Sequence, residues 1–185
     1  MFRIYIAIVL LAFGTTVNAE NFSYDYFDFG YGSMDIDGTN LDGDGFTLGG
    51  SVVVADNIHI FADYVSADFN FGLDATGYGI GLGYNKAASD KLDFVARVSY
   101  EYVDVGGFGD DNGYGLSVGL RFAASDDLEF NGSLGYVDIG DGSGDTAVGV
   151  GFLYDLSDNF AFGLNGNWSD DISVYAIQGR WYFAR

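Results

Sequence analysis

Glycine alternates with large apolar residues over Gly77-Tyr78-Gly79-Ile80-Gly81-Leu82-Gly83-Tyr84, and again over Gly113-Tyr114-Gly115-Leu116-Ser117-Val118-Gly119-Leu120. Successive strand residues point to opposite faces, so this period of two predicts strands with one bulky apolar face and one nearly bare face. A soluble sheet covers its apolar face with another layer. Here the pattern recurs along the chain with no helical segment to supply that layer. Lipid is the remaining cover, and the expected fold is all-β: a transmembrane antiparallel up-and-down β-barrel.

A repeat supports the same reading. Ala55-Asp56-Asn57-Ile58, Ser89-Asp90-Lys91-Leu92, Ser125-Asp126-Asp127-Leu128 and Ser157-Asp158-Asn159-Phe160 place aspartates 34, 36 and 32 residues apart. Ser, Asp and Asn bond nearby backbone and tolerate turn dihedrals, so each phrase marks a tight reversal. The unit is a tight turn, a strand, a wider acidic loop and a returning strand. Ten strands are predicted, at 22–32, 44–55, 58–66, 75–84, 92–104, 113–123, 128–138, 146–154, 160–168 and 172–183. Merging the first or ninth with a neighbour would give eight. A propeller or solenoid also repeats at this period, but neither accounts for glycine columns and aromatic strand ends together.

The first nineteen residues stand apart. Arg3 precedes an apolar run, Ile4 to Phe13, and Val17-Asn18-Ala19 offers small residues for cleavage after Ala19. That is the pattern of a secretory signal peptide, too short for a spanning helix. The expected organisation is a signal peptide over 1–19 and a barrel over 20–185. With no Cys, disulfides and thiolate metal sites are excluded.

Face assignment sorts the side chains. Phe94, Ala96, Val98, Tyr100 and Tyr102 share one face of the fifth strand, and Asp93, Val95, Arg97, Ser99 and Glu101 the other. The sixth, seventh and ninth strands divide the same way, with Phe130, Leu134, Phe162 and Leu164 among the apolar set and Glu129, Asn131, Ser133, Asn165 and Asn167 among the polar one. The apolar set should face lipid, where an arginine at midplane would cost about 2–4 kcal/mol. Arg97, Arg121 and Arg180 fall on the lumen face. Bare glycine columns leave room there for long side chains, so these arginines are expected to pair with Asp63, Asp93, Glu101 and Glu129. A closed lumen follows from that pairing; a narrow water path lined by the same groups is the alternative.

The net charge is -20, from 27 acidic and 7 basic residues. Such a chain repels nucleic acid. The wide loops are expected to carry the acid, including Asp110, Asp111, Asp138, Asp141, Asp145, Asp170 and Asp171, and to make one rim anionic. In the first loop, Asp35, Asp37, Asn40, Asp42 and Asp44 alternate with glycine as in a calcium-binding loop. The closing bidentate Glu is replaced by Ser51, so weak calcium association is the most this motif suggests. The lone histidine, His59, has no catalytic partner in the sequence and is expected in a ring beside the membrane interface. Adjacent Asp110 and Asp111 read as solvated carboxylates. No phosphate-binding glycine motif opens a helix.

The glycine–aromatic strands, the stretches Gly81-Leu82-Gly83-Tyr84-Asn85 and Asp93-Phe94-Val95-Ala96-Arg97-Val98-Ser99-Tyr100-Glu101, and the final Arg180-Trp181-Tyr182-Phe183 resemble the small porin-like outer-membrane β-barrel proteins of Gram-negative bacteria. The resemblance covers the whole mature chain. It implies an outer-membrane location, contact with outer-membrane lipid and lipopolysaccharide, and insertion by the barrel-assembly machinery. Members typically end in an aromatic residue; here Ala184 and Arg185 follow Phe183. The expected function is a structural, non-enzymatic barrel with acidic external loops and no cofactor beyond weak calcium. The alternatives are a narrow cation-preferring pore, or a surface protein touching divalent cations or lipopolysaccharide. Oligomeric state is not encoded in any feature of the sequence.

Overall fold

The computed structural model describes residues 22–140 and 144–184. The signal segment, Arg3, Asp141 and Arg185 lie outside the described residues. Ten strands follow in order: β1 (Asp25–Ile36), β2 (Leu41–Ala55), β3 (Ile58–Phe69), β4 (Leu73–Ser89), β5 (Leu92–Val105), β6 (Gly109–Ala123), β7 (Leu128–Ile139), β8 (Asp145–Ser157), β9 (Phe160–Ser169) and β10 (Ile172–Ala184). Each pairs antiparallel with its sequence neighbours, and β1 pairs with β10 to close the barrel. The count is ten, not eight. Closure leaves no free sheet edge, which satisfies the backbone inside lipid.

The start of β1 and the end of β10 lie at one rim, called here the terminal rim, with the turns at 56–57, 90–91, 124–127 and 158–159. At the first of these Asn57 takes φ +64°, a conformation that Asn adopts more readily than most side chains. The opposite, distal rim holds the other five turns.

The face assignment is recovered in space. Phe94, Val98, Tyr100, Leu116, Val118, Leu120, Phe130, Leu134, Phe162 and Leu164 are exposed on the outer wall. An apolar belt of this kind, left open on a closed barrel, is the signature of a surface that faces lipid. At the distal end of the belt stand Tyr31, Tyr78, Tyr114, Tyr136, Trp168 and Tyr175, where amphipathic rings suit the membrane interface.

Among the described residues the wide acidic loops are not present as loops. Strands continue almost to the tips: at the distal rim 37–40, 70–72, 106–108 and 170–171 connect them, and β7 ends at Ile139 and β8 begins at Asp145. The cause is an inversion of polarity along the strands. In mid-barrel the apolar residues point out. Near the distal rim Met34, Ile36, Val65, Ala67, Phe69, Ala75, Val103, Val105 and Ile172 point in and form one buried cluster. The alternating aspartates, Asp35, Asp68, Asp74 and Asp104, point out into water. Burial of that inner cluster extends the ladder through residues whose own preference is for turns.

Candidate functional site: the barrel lumen

The lumen is built in three levels. At the terminal rim, residues 22–24 precede β1 and fold into the mouth: Phe22, Ser23 and Tyr24 are all buried. Ser23 Oγ donates to the Ala184 carbonyl at 2.5 Å, and Tyr24 OH donates to Asp93 Oδ2 at 3.1 Å. The Arg121 guanidinium lies 4.6 Å from the Phe22 ring centre and 5.1 Å from that of Tyr24. Its other partner is Glu129, held by Nε–Oε1 at 2.5 Å and Nη2–Oε2 at 2.6 Å. This fork-on-fork geometry is the strong form of an arginine–carboxylate bond.

One step inward, Arg180 donates Nε to Asp28 Oδ1 and Nη2 to Asp28 Oδ2, both at 2.7 Å. Its guanidinium stands 3.9 Å from the Tyr26 ring centre. Arg97 lies 4.5 Å from the Phe61 ring centre, with Nη2 3.4 Å from His59 Nε2 and 3.5 Å from Tyr26 OH. Asp63 sits on the same wall, and Glu101 accepts a bond from Ser99 Oγ.

Each expected lumen residue therefore lines the inside, and one arginine takes a carboxylate of the expected set while another does not. Arg121 takes Glu129, whereas Arg180 takes Asp28, which the sequence reading did not name. The alternation Phe27-Asp28-Phe29 was the available signal, since it places Asp28 opposite two outward rings. The stacking of all three arginines on aromatic rings was also missed. Those rings come from residues 22–26, from Phe61 and from Tyr182, and nothing in the sequence spacing links them to the arginines.

His59 corrects its expectation. It does not stand in an interfacial ring but is fully buried inside the barrel, stacked on Tyr24 at 5.0 Å between ring centres. The glycine columns make this possible. A Cβ at Gly83 would strike the His59 ring, and one at Gly79 would lie 2.7 Å from Glu101 Oε2.

The second level, in mid-lumen, is uncharged on the side of β6 to β10: Ser117, Asn131, Ser133, Asn165, Asn167 and Gln178 are all half-buried there. The third level is the apolar distal cluster.

The five residues of the calcium-like motif fall on strands and a turn. Asp35 and Asp42 are direct cross-strand partners on the exposed face. Asp44 accepts a bond from Tyr31 OH, Asn70 Nδ2 bridges the Asn40 carbonyl (2.8 Å) and Asp42 Oδ1 (3.1 Å), and Asp37 lies in the exposed turn. Among the described residues no group of three or more carboxylate, histidine or cysteine side chains gathers in a metal-holding arrangement. Nor is acid confined to one rim. Asp56, Asp90, Asp126, Asp127 and Asp158 surround the terminal rim, with Lys86 and Lys91.

Comparison with protein families and with curated proteins returns no match. Among solved structures, the barrel is similar to the KdgM porin in complex with disordered oligogalacturonate, at 12% identity and TM-score 0.53, covering 86% of this chain and 99% of that one. It is similar also to the β domain of the Bordetella autotransporter BrkA, at 12% identity and TM-score 0.51, covering 85% and 98%. The outer-membrane protein OprG from Pseudomonas aeruginosa aligns at 14% identity and TM-score 0.46, covering 87% and 97%. In fold, the chain is a small porin-like transmembrane barrel.

Proposed function

We propose that this chain is an integral outer-membrane protein with a structural, non-enzymatic role, whose lumen is closed at the terminal rim. The observation that carries the reading is the burial of the terminal-rim layer. Tyr24 and His59 are 0% exposed and Arg121 and Arg180 1% exposed, although all four project into the lumen. A water-filled passage through that layer would leave such long side chains wet. Export through residues 1–19, a periplasmic terminal rim and insertion by the barrel-assembly machinery belong to the same reading, because tight turns and both chain ends are expected on the periplasmic side.

The KdgM porin is described in complex with disordered oligogalacturonate. Its ligand is not carried over. In this chain Arg121 and Arg180 already hold carboxylates, so neither is available to a second anion.

A second reading concerns the distal rim. Asp35 faces Asp42, Asp44 faces Asp68, Asp68 faces Asp74 and Asp104 faces Asp110 across neighbouring strands. Like charges directly opposite destabilise a ladder. Divalent cations, which also bridge lipopolysaccharide phosphates, would relieve that repulsion.

Proteoliposomes test the first reading. Vesicles carrying the refolded chain should hold a potassium gradient as long as empty vesicles do. Rapid dissipation that scales with protein content would sink the closed-lumen proposal.

A further inference from the structure

We propose that the distal rim carries a docking patch for a short cationic, amphipathic peptide segment, built on the rings of Phe71 and Phe108. These are the most exposed large apolar side chains among the described residues, at 86% and 72%. Both stand at hairpin tips. Phe71 lies in the 70–72 turn between β3 and β4, and Phe108 ends the 106–108 turn between β5 and β6. The two hairpins are neighbours through the β4–β5 ladder, and their tips are joined where Gly106 N donates to the Asp74 carbonyl at 2.9 Å.

Neither ring belongs to the lipid belt. Leu73, at the start of β4, is five residues from the girdle residue Tyr78, and Gly109, at the start of β6, is five residues from Tyr114. Five strand residues span roughly 17 Å, and a strand tilted by about 45° still climbs roughly 12 Å, so both tips stand in water beyond the interface. Nor does the fold need rings there. Phe71 takes φ +62° and ψ +12°, a left-handed conformation that suits glycine or asparagine and is rare for a bulky side chain. Gly107 and Gly109 flank Phe108 at φ +81° and +100°, with open space where a Cβ would stand. The tips are nonetheless held. Asn70 Nδ2 donates to the Asn40 carbonyl and to Asp42 Oδ1, and Phe108 N donates to the Val105 carbonyl at 2.8 Å. Fixed turns cut the ordering cost of covering the rings.

The surrounding charge selects the occupant. Asp68 and Asp74 flank the first tip and Asp104, Asp110 and Asp111 the second, all of them exposed. Among the described residues no lysine or arginine stands at this rim: Lys86 and Lys91 lie at the terminal rim, and the arginines line the lumen. Apolar rings set between carboxylates match a basic segment that carries apolar side chains, and a cation gains further from the face of a ring. A second copy of this chain would bring the same acid to the contact and is repelled, as are nucleic acid and phosphate headgroups. The two rings offer roughly 300–500 Å² between them, below the about 800 Å² that each side of a stable globular interface buries. A short segment therefore fits the patch better than a folded partner. The patch lies outside the lumen, so docking and conduction are separable properties.

The test is a titration of the full chain, refolded in zwitterionic nanodiscs without divalent cations and compared with empty nanodiscs. Two signals are read: the ring resonances of Phe71 and Phe108 in isotope-labelled protein, and the fluorescence anisotropy of a dye-labelled peptide. The peptide Lys-Leu-Lys-Leu-Lys should shift both rings saturably. Lys-Ser-Lys-Ser-Lys, of equal charge, should bind about tenfold more weakly. Glu-Leu-Glu-Leu-Glu and maltose should give no saturable signal. Phe71→Ser together with Phe108→Ser should weaken the lysine–leucine peptide about tenfold while the unboiled gel mobility of the folded barrel is kept. Asp74→Asn with Asp104→Asn, which leaves both rings in place, should weaken it too. Equal affinity for the serine peptide would reduce the patch to a solvated acidic rim and overturn the proposal. So would full affinity in the Phe71→Ser, Phe108→Ser variant, saturable binding of maltose or the glutamate peptide, or no saturable shift with the lysine–leucine peptide. A dissipated potassium gradient in the vesicle experiment bears on lumen closure and leaves this titration standing.

Discussion

Three arginines inside a membrane barrel are tolerable only through their immediate neighbours. Arg180 is fully buried and held by Asp28, so removing one partner strands the other's charge. Arg180→Met should destabilise the barrel by about 3–5 kcal/mol, as breaking a buried pair does. Arg180→Met with Asp28→Leu should recover most of that loss, because neither charge then remains. Urea unfolding in vesicles, followed by Trp168 and Trp181 fluorescence, reads both; equal loss in single and double variants would show that packing, not charge, is responsible. Gly83 offers a steric counterpart. Gly83→Ala puts a methyl on the His59 ring and should cost about 1–3 kcal/mol, the usual penalty for overpacking. His59→Ala in the same chain should remove that penalty. At this scale the inward placement of Arg97, Arg121 and Arg180 was legible from alternation. Which carboxylate each would meet was not, because partner choice depends on register between strands far apart in sequence, such as β1 and β10.

The strands were legible where polarity alternates in the ordinary membrane sense, and the tight turns at Asp56-Asn57, Asp90, Asp126-Asp127 and Asp158-Asn159 set their terminal ends. Their distal ends were hidden. Met34-Asp35-Ile36 and Val103-Asp104-Val105 alternate as faithfully as the mid-barrel does, but with acid outside and aliphatic groups inside. Aspartate and glycine in such stretches suggest loop, and only the shared inner cluster of β1, β3, β4, β5 and β10 overrides that preference. Hydrogen exchange should therefore find the backbone amides of Ile36, Val65, Phe69 and Val103 protected like strand amides. Exchange at loop rates would contradict the extended ladder. The outward aspartates give a second expectation. Millimolar magnesium should raise the melting temperature, by roughly 2–4 °C for each kcal/mol of repulsion relieved. Asp68→Asn, which removes a charge facing both Asp44 and Asp74, should raise the magnesium-free value and shrink the increment.

The whole molecule is a membrane barrel whose polar middle is bounded by two differently built layers. The distal layer is aliphatic and belongs to the strands. The terminal layer is arginine stacked on aromatic rings, and part of it comes from residues 22–24, which belong to no strand. This layering was only half legible: glycine columns announced space for long side chains, but not that residues 22–24, ahead of β1, would fill it. Phe22→Ala with Tyr24→Ala should then loosen the terminal layer while leaving every ladder bond in place. Single-channel recording of the refolded chain in planar bilayers tests the closed lumen most directly. The expected trace is a flat baseline for the natural chain and discrete steps for the Phe22→Ala, Tyr24→Ala variant; steady steps from the natural chain would contradict the account.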